Sequence, residues 1–166
     1  MKYRLNKQKE PRVPKNLGGF TIIEVVIVLA IAGLIMAIVF IAVPQLNRNA
    51  RDNARQNVAN RLHSELGTYA ANNSGTYPFT TSALADFSSR YASTIKMTNP
   101  STGSTYSLDF ASSDGANPSA DQILIHRGAR CTGEQASGTS SSATTRSYAL
   151  RVALDRSNIF YCIDNG

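Results

Sequence analysis

From Phe20 to Val43 the chain reads FTIIEVVIVLAIAGLIMAIVFIAV, 24 residues in which only Thr21 and Glu24 are polar. As a helix this run is about 36 Å long, enough to cross a hydrocarbon core of roughly 30 Å. Beyond Pro44 the pattern changes to a recurrence every four residues. Leu46, Ala50, Ala54, Val58, Leu62, Leu66 and Ala70 repeat, with Tyr69 beside them, and Arg48, Arg51, Asp52, Arg55, Arg61 and Glu65 lie between. That spacing predicts an amphipathic helix with one apolar stripe. Asn72-Asn73-Ser74-Gly75 ends it, Gly75 suiting the left-handed turn past a helix terminus. One helix is therefore predicted from Thr21 to about Asn73, apolar over its first half and amphipathic over its second.

Residues 76–166 are polar and rich in Ser, Thr and Gly. A short helix is predicted over Ser82–Arg90, with Leu84, Phe87 and Tyr91 on one side, and a turn at Asn99-Pro-Ser-Thr-Gly103. Tyr106, Leu108 and Phe110 alternate with polar residues, Ile123-Leu124-Ile125 is a short apolar run, and Tyr148, Leu150, Val152 and Leu154 alternate with Ala149, Arg151 and Ala153. Ile159–Ile163 follows Asp155-Arg-Ser-Asn as the second arm of an antiparallel hairpin. Gly133–Thr145 is too polar to pack and reads as a mobile surface loop. The fold class is α+β: a long N-terminal helix, half transmembrane and half amphipathic, whose stripe packs on a small antiparallel β-sheet head.

The formal net charge of +6 suggests a nucleic-acid or membrane-surface partner, but its distribution changes that reading. Lys2, Arg4, Lys7, Lys9, Arg12 and Lys15 precede Phe20 against Glu10 alone, so the remainder of the chain is close to neutral. Basic residues concentrate before the apolar run, with only Arg48, Arg51 and Arg55 just beyond it, which keeps the N-terminus in the cytoplasm and exports the rest. A secretory signal peptide would have a shorter apolar region followed by an A-x-A site, and here the small pair Gly18-Gly19 precedes the run.

Candidate chemistry is sparse. His63 and His126 have no nucleophile elbow, zinc spacing or phosphate loop nearby, so no catalytic activity and no cofactor are expected. Arg48, Arg51 and Arg55 sit at helical spacing and would make a DNA-binding stripe, but they serve equally as the polar flank of a membrane helix, with Asp52 an i,i+3 partner for Arg55. Asp109, Asp114 and Asp121 lack the spacing of a calcium loop. Cys131 and Cys162 both fall in the exported part. In an oxidising compartment they can pair around a loop of 30 intervening residues, worth about 3.5 kcal/mol in the chain-entropy model; the alternative is two unpaired small apolar residues.

Glu24 is the anomaly, since a charge at membrane depth is costly and marks a functional site by default. Thr21-Ile-Ile-Glu24 fits a capping box, in which Thr21 caps the helix and Glu24 reaches back to it, with Phe20 and Val25 in the staple positions. The cap is needed only if the helix starts there, which points to a chain cut just before Phe20.

The basic leader ending in Gly18-Gly19, then Phe20-Thr-Ile-Ile-Glu24 and the uninterrupted apolar run, resemble the type IV pilin superfamily, including the pseudopilins of type II secretion. Gly75-Thr-Tyr77-Pro78 is similar to the G-x-Y-P that often follows the long helix in this family. Asn99-Pro-Ser-Thr-Gly103 with Tyr106 loosely resembles a loop of the secretion pseudopilins, and Cys131 with Cys162 resembles the disulfide loop of many pilins. The resemblance implies four segments: a leader over 1–19 that is removed, a transmembrane and filament-core helix over 20–43, an amphipathic half-helix over 44–75, and a head over 76–166. It implies processing at Gly18, Gly19 and Phe20, with cleavage after Gly19 by a membrane prepilin peptidase that N-methylates Phe20. Glu24 then neutralises the new amine of Phe20 on a neighbouring subunit. Gly33 stands where many pilins have a glycine, and Pro44 lies a little later than the family's usual proline; the stretch between them is implied to unwind in the filament.

The implied partners are further copies of the chain in a helical filament, the peptidase, an inner-membrane platform protein with its cytoplasmic ATPases, and the membrane. The implied location is a single-pass inner or cytoplasmic membrane protein that becomes a cell-surface filament. A secretion pseudopilin or competence pilin is the nearest alternative. Others are a membrane-anchored binding domain that never polymerises and a double-glycine peptide secreted by an exporter.

Overall fold

The computed structural model describes residues 18–140, 142 and 145–166. Of the expected leader, residues 1–17 lie outside the described residues. The chain divides into two compact units, Met1–Ile41 and Ala42–Gly166.

Helix α1, Ile22–Asn72, begins in the first unit and includes Pro44. In the first unit, Thr21 stands just before the helix, as the pattern predicts. An 18-residue window of α1 reaches a mean hydropathy of 3.2, and none of it is buried. The large apolar side chains between Phe20 and Leu46 are 47–88% exposed, an arrangement that water disfavours and lipid or a partner helix would relieve.

In the second unit α1 ends where expected. Gly75, at φ 77°, returns its N–H to the Ala70 carbonyl at 2.8 Å, and the Asn73 side chain caps the Tyr69 carbonyl. Helix α2, Thr81–Arg90, starts with Thr80 accepting from the Ala83 amide at 3.2 Å, and a 3₁₀ turn, Ala92–Thr94, follows. The strands are β1 (Ser107–Phe110), β2 (Gln122–Arg127), β3 (Arg130–Thr132), β4 (Gln135–Ser137), β5 (Tyr148–Ala153) and β6 (Phe160–Asp164). A four-stranded sheet runs in the order β1-β2-β5-β6, and β3 and β4 form a separate hairpin.

Two features differ from the pattern-based expectation. β1 pairs with β2 in parallel, while β2, β5 and β6 are antiparallel. The sheet is thus mixed, because the segment 111–121 is long enough to carry the chain back across the sheet instead of turning tightly. The polar stretch 133–145 also contributes structure. Gly133, at φ 64°, makes a two-residue turn with Glu134, and Ala136 in β4 is 1% exposed. An alanine is apolar enough to seat a strand yet too small to register as a hydrophobic run. Residues 141, 143 and 144 of that stretch lie outside the described residues.

The core joins α1 to the sheet. Val58, Leu62, Leu66 and Tyr69 of α1 pack with Leu84 and Phe87 of α2, Ile123 and Ile125 of β2, and Tyr148, Leu150 and Val152 of β5. Only part of the predicted stripe is used, since Leu46 is 70% exposed and burial begins at Asp52. On the opposite face of the sheet a smaller cluster of Ala129, Ala136 and Ala149 lies beside the Cys131–Cys162 disulfide, which joins β3 to β6 with a Cα separation of 5.8 Å.

Candidate functional site at the start of the long helix

Gly18, Gly19, Phe20, Thr21 and Glu24 lie at the head of α1. The Glu24 carboxylate oxygen Oε2 accepts from the Thr21 amide at 2.9 Å and from the Thr21 hydroxyl at 2.8 Å. The Glu24 amide in turn donates to Thr21 Oγ1 at 3.4 Å. Two otherwise orphaned amides of the first turn are thereby satisfied within the segment. Among the described residues, the second carboxylate oxygen of Glu24 has no hydrogen-bond partner, and Phe20 beside it is 88% exposed. Gly18 and Gly19 are exposed, with no atom near enough to touch an added Cβ. The backbone on both sides of the Gly19–Phe20 bond is open.

Residues 14–40 match the family model of the prokaryotic N-terminal methylation motif. The chain carries the prepilin methylation signature. This motif is the hallmark of type IV pilin and pseudopilin prepilins, and its match spans Gly18, Gly19, Phe20, Glu24 and Gly33. The match covers 27 of the chain's 166 residues. The matched segment is the helix start just described; the head lies beyond it. No curated protein and no solved structure matches the chain.

The remaining sequence-selected residues are dispersed. Gly33 and Pro44 lie farther along α1, both exposed and both within the helix, while Cys131 and Cys162 are bonded in the head. His63 approaches the Tyr148 hydroxyl at 3.0 Å, and His126 is fully buried against Thr139. Asp109, Asp114 and Asp121 are engaged separately, by Gln122, by the Gly138 amide and by Asn99 with Thr102. Among the described residues no cluster of three or more His, Cys, Asp or Glu side chains could hold a metal ion.

The arginine stripe is corrected by the structure. Arg55 is 3% exposed, donating to Asn99 Oδ1, Ser101 Oγ, the Ala153 carbonyl and Asp155. Arg51 pairs with Asp155 at 2.6 Å. Asp52, expected beside Arg55 as its helical partner, instead accepts the Asp155 amide at 2.6 Å. Arg55 is buried and Arg51, partly exposed, is paired with Asp155, so two of the three cations are already engaged within the protein's own contacts. Asp155 and Asn99 are the anchors that the pattern did not reveal, because they come from turns far along the chain. The hydrogen bond from Arg51 holds the Asp155 carboxyl below its ordinary range.

Proposed function

We propose that the chain is a prepilin, a membrane-stored structural subunit without enzymatic activity, cut after Gly19, N-methylated on Phe20 and polymerised through its apolar helix. The observation that carries this reading is the methylation motif coinciding with an exposed Gly19–Phe20 bond and a Glu24 held one turn away.

The chemistry follows from charge. Cutting the bond creates a cationic amine on Phe20 among apolar side chains. Glu24 supplies the opposite charge, and the oxygen left free by the capping box faces no competitor. At about 4 Å and an effective dielectric near 20, a carboxylate and a neighbouring subunit's amine attract by roughly 4 kcal/mol before desolvation. Register is the larger consequence, since a stranded charge in an apolar filament core is penalised more than a displaced apolar contact. Between Gly33 and Pro44 the run is rich in Ile and Val, weak helix formers, and Pro44 removes the bond to the Phe40 carbonyl. This stretch unwinds as the subunit leaves lipid for the filament. The prepilin peptidase, a platform protein and its ATPases act on the chain. A type II secretion pseudopilin or a competence pilin would use the same steps.

The test is intact mass and N-terminal sequence after expression with a prepilin peptidase, for wild type and Gly19→Ala. The expected result is a wild-type chain starting at N-methylated Phe20 and an uncut variant. A wild-type chain retaining Met1–Gly19, beside a control substrate that is cut, would reduce Glu24 to a helix cap on an ordinary membrane anchor.

A further inference from the structure

Strand β5 divides its side chains between two unequal surroundings. Tyr148, Leu150 and Val152 enter the core shared with α1, which is built of large aliphatic and aromatic groups. Ala149 belongs to the other face, where the β3–β4 hairpin rests on three alanines and a disulfide. Three methyl groups bury little apolar area, so the hydrophobic force holding this hairpin down is small.

Beneath that cover lies a cation. Arg151 is fully buried and rests on the Phe160 ring, 4.6 Å from its centroid. Its Nε donates to the Glu134 carbonyl at 2.9 Å and its Nη1 to the Ala116 carbonyl at 2.7 Å, while Nη2 has no partner. Among the described residues, no carboxylate lies within ion-pair distance of it. His126 on β2 is also fully buried, with Nδ1 3.0 Å from the Thr139 hydroxyl and Nε2 unpartnered. Asp114 accepts the Gly138 and Thr139 amides. Glu134, Ala116, Thr139 and Asp114 all belong to the hairpin and the loops beside it, so both buried groups depend on the cover for their polar contacts. A guanidinium taken out of water without a counter-charge is expensive to keep there. Lifting the cover would return it to solvent.

What opposes lifting is partly polar and partly covalent. The Cys131 amide donates to Asp164 at 2.6 Å and the Phe160 amide to Glu134 at 3.3 Å. The Cys131–Cys162 bond ties β3 to β6 directly. We propose that this disulfide is the clasp of a separately opening cover: when it is broken, β3 and β4 lift and expose Arg151 and His126, while the core between α1 and the sheet stays folded. Breaking it by reduction takes two electrons and two protons from a dithiol, which becomes its own disulfide and leaves two cysteine thiols.

The experiment compares the whole chain in detergent as oxidised wild type, dithiol-reduced wild type and the Cys131→Ser/Cys162→Ser double variant. Hydrogen exchange reads the backbone, and an arginine-specific dicarbonyl reads Arg151. Without the disulfide, amides over 130–137 are expected to lose protection at least 100-fold and Arg151 to become labelled. Segments 58–69 and 148–152 keep their protection. His126 offers a further readout. Its imidazole, pushed down to about 4 chiefly by burial and then by Arg151, moves back toward 6.5. A hairpin that stays protected, with Arg151 unlabelled, would show that the disulfide is not the clasp. Loss of protection throughout the head would show that the cover does not open separately. Either result overturns the proposal.

Discussion

Arg55 on α1 and Asp155 at the β5–β6 turn stand 100 positions apart in sequence and 3.4 Å apart in space. Arg51 reaches the same carboxylate, and Asp52 holds the same residue by its amide. One turn of the helix is thus fastened to one turn of the sheet. Replacing Asp155 with Ala strips both arginines of this carboxylate and leaves the Arg55 charge buried among neutral acceptors. The expected loss is about 3 kcal/mol, read as a lower denaturant midpoint at unchanged slope. Arg55→Met removes the charge together with its need for a partner and should cost less. Equal losses would rule out the stranded charge as the cause.

His126 makes stability depend on pH. Its imidazole lies near 4 in the folded head, mainly through burial, against an ordinary value of 6.5. Between those values the unfolded chain binds a proton that the folded chain does not, so stability rises from pH 4 to 6.5 and levels off above, by about 3 kcal/mol. Asp155 and Asp114 are lowered, chiefly by hydrogen bonds from Arg51 and Thr139 respectively. Their contribution disappears as pH falls below the ordinary carboxylate range, beneath the histidine window. His63 is lowered too, by burial, so the difference between wild type and His126→Gln isolates His126. Denaturant unfolding from pH 4 to 7.5 should show a flatter curve in the variant; identical slopes would exclude His126.

Two glycines should respond in opposite directions to the same substitution. Gly128 has φ 74°, and a Cβ there would lie 3.0 Å from Ser140 Cβ and 3.4 Å from the Gly138 carbonyl oxygen. Gly128→Ala is expected to cost 1 kcal/mol or more, on the order of the left-handed strain alone. Gly67 lies within α1 with nothing in reach of an added Cβ. Gly67→Ala should raise stability by roughly 0.5–1 kcal/mol. Thermal unfolding of the two variants side by side checks both signs.

Glu24 has a capping role and a proposed charge-pairing role that substitution can separate. Glu24→Ala removes both, whereas Glu24→Gln keeps an oxygen for Thr21 and loses the charge. Both variants should be cut after Gly19 and leave the unfolding midpoint of the head unchanged. Neither should form filaments. Wild-type filament yield from Glu24→Gln, counted by electron microscopy, would show that the cap alone suffices.

What was legible in the sequence was local. The capping box spans four residues, and the α1 stop, the α2 face and the β5 alternation each lie within one element, so spacing alone reveals them. The helix start that forms the candidate site was readable for the same reason. Other features depend on residues distant in the chain. Asp52 and Arg55 look like solvated flank residues until Asp155 and Asn99 arrive from remote turns to bury them. Arg151 alternates with the core residues of β5, and nothing in that spacing shows that the β3–β4 hairpin covers it. The parallel pairing of β1 with β2 was hidden because strand patterns carry no sign of direction.

The order in which the head can be built follows from Asn165. Its side chain accepts the Tyr148 amide and donates to the Tyr77 hydroxyl and the Arg146 carbonyl, next to the strand that completes the sheet. When Leu62 and Leu66 leave the ribosome, roughly a hundred residues must still be added before this knot can be tied, about 5–20 s of synthesis. Through that interval the helix lacks the completed sheet that buries its stripe. A channel taking up the chain during that interval would receive a thread, and the domain would be assembled on the far side.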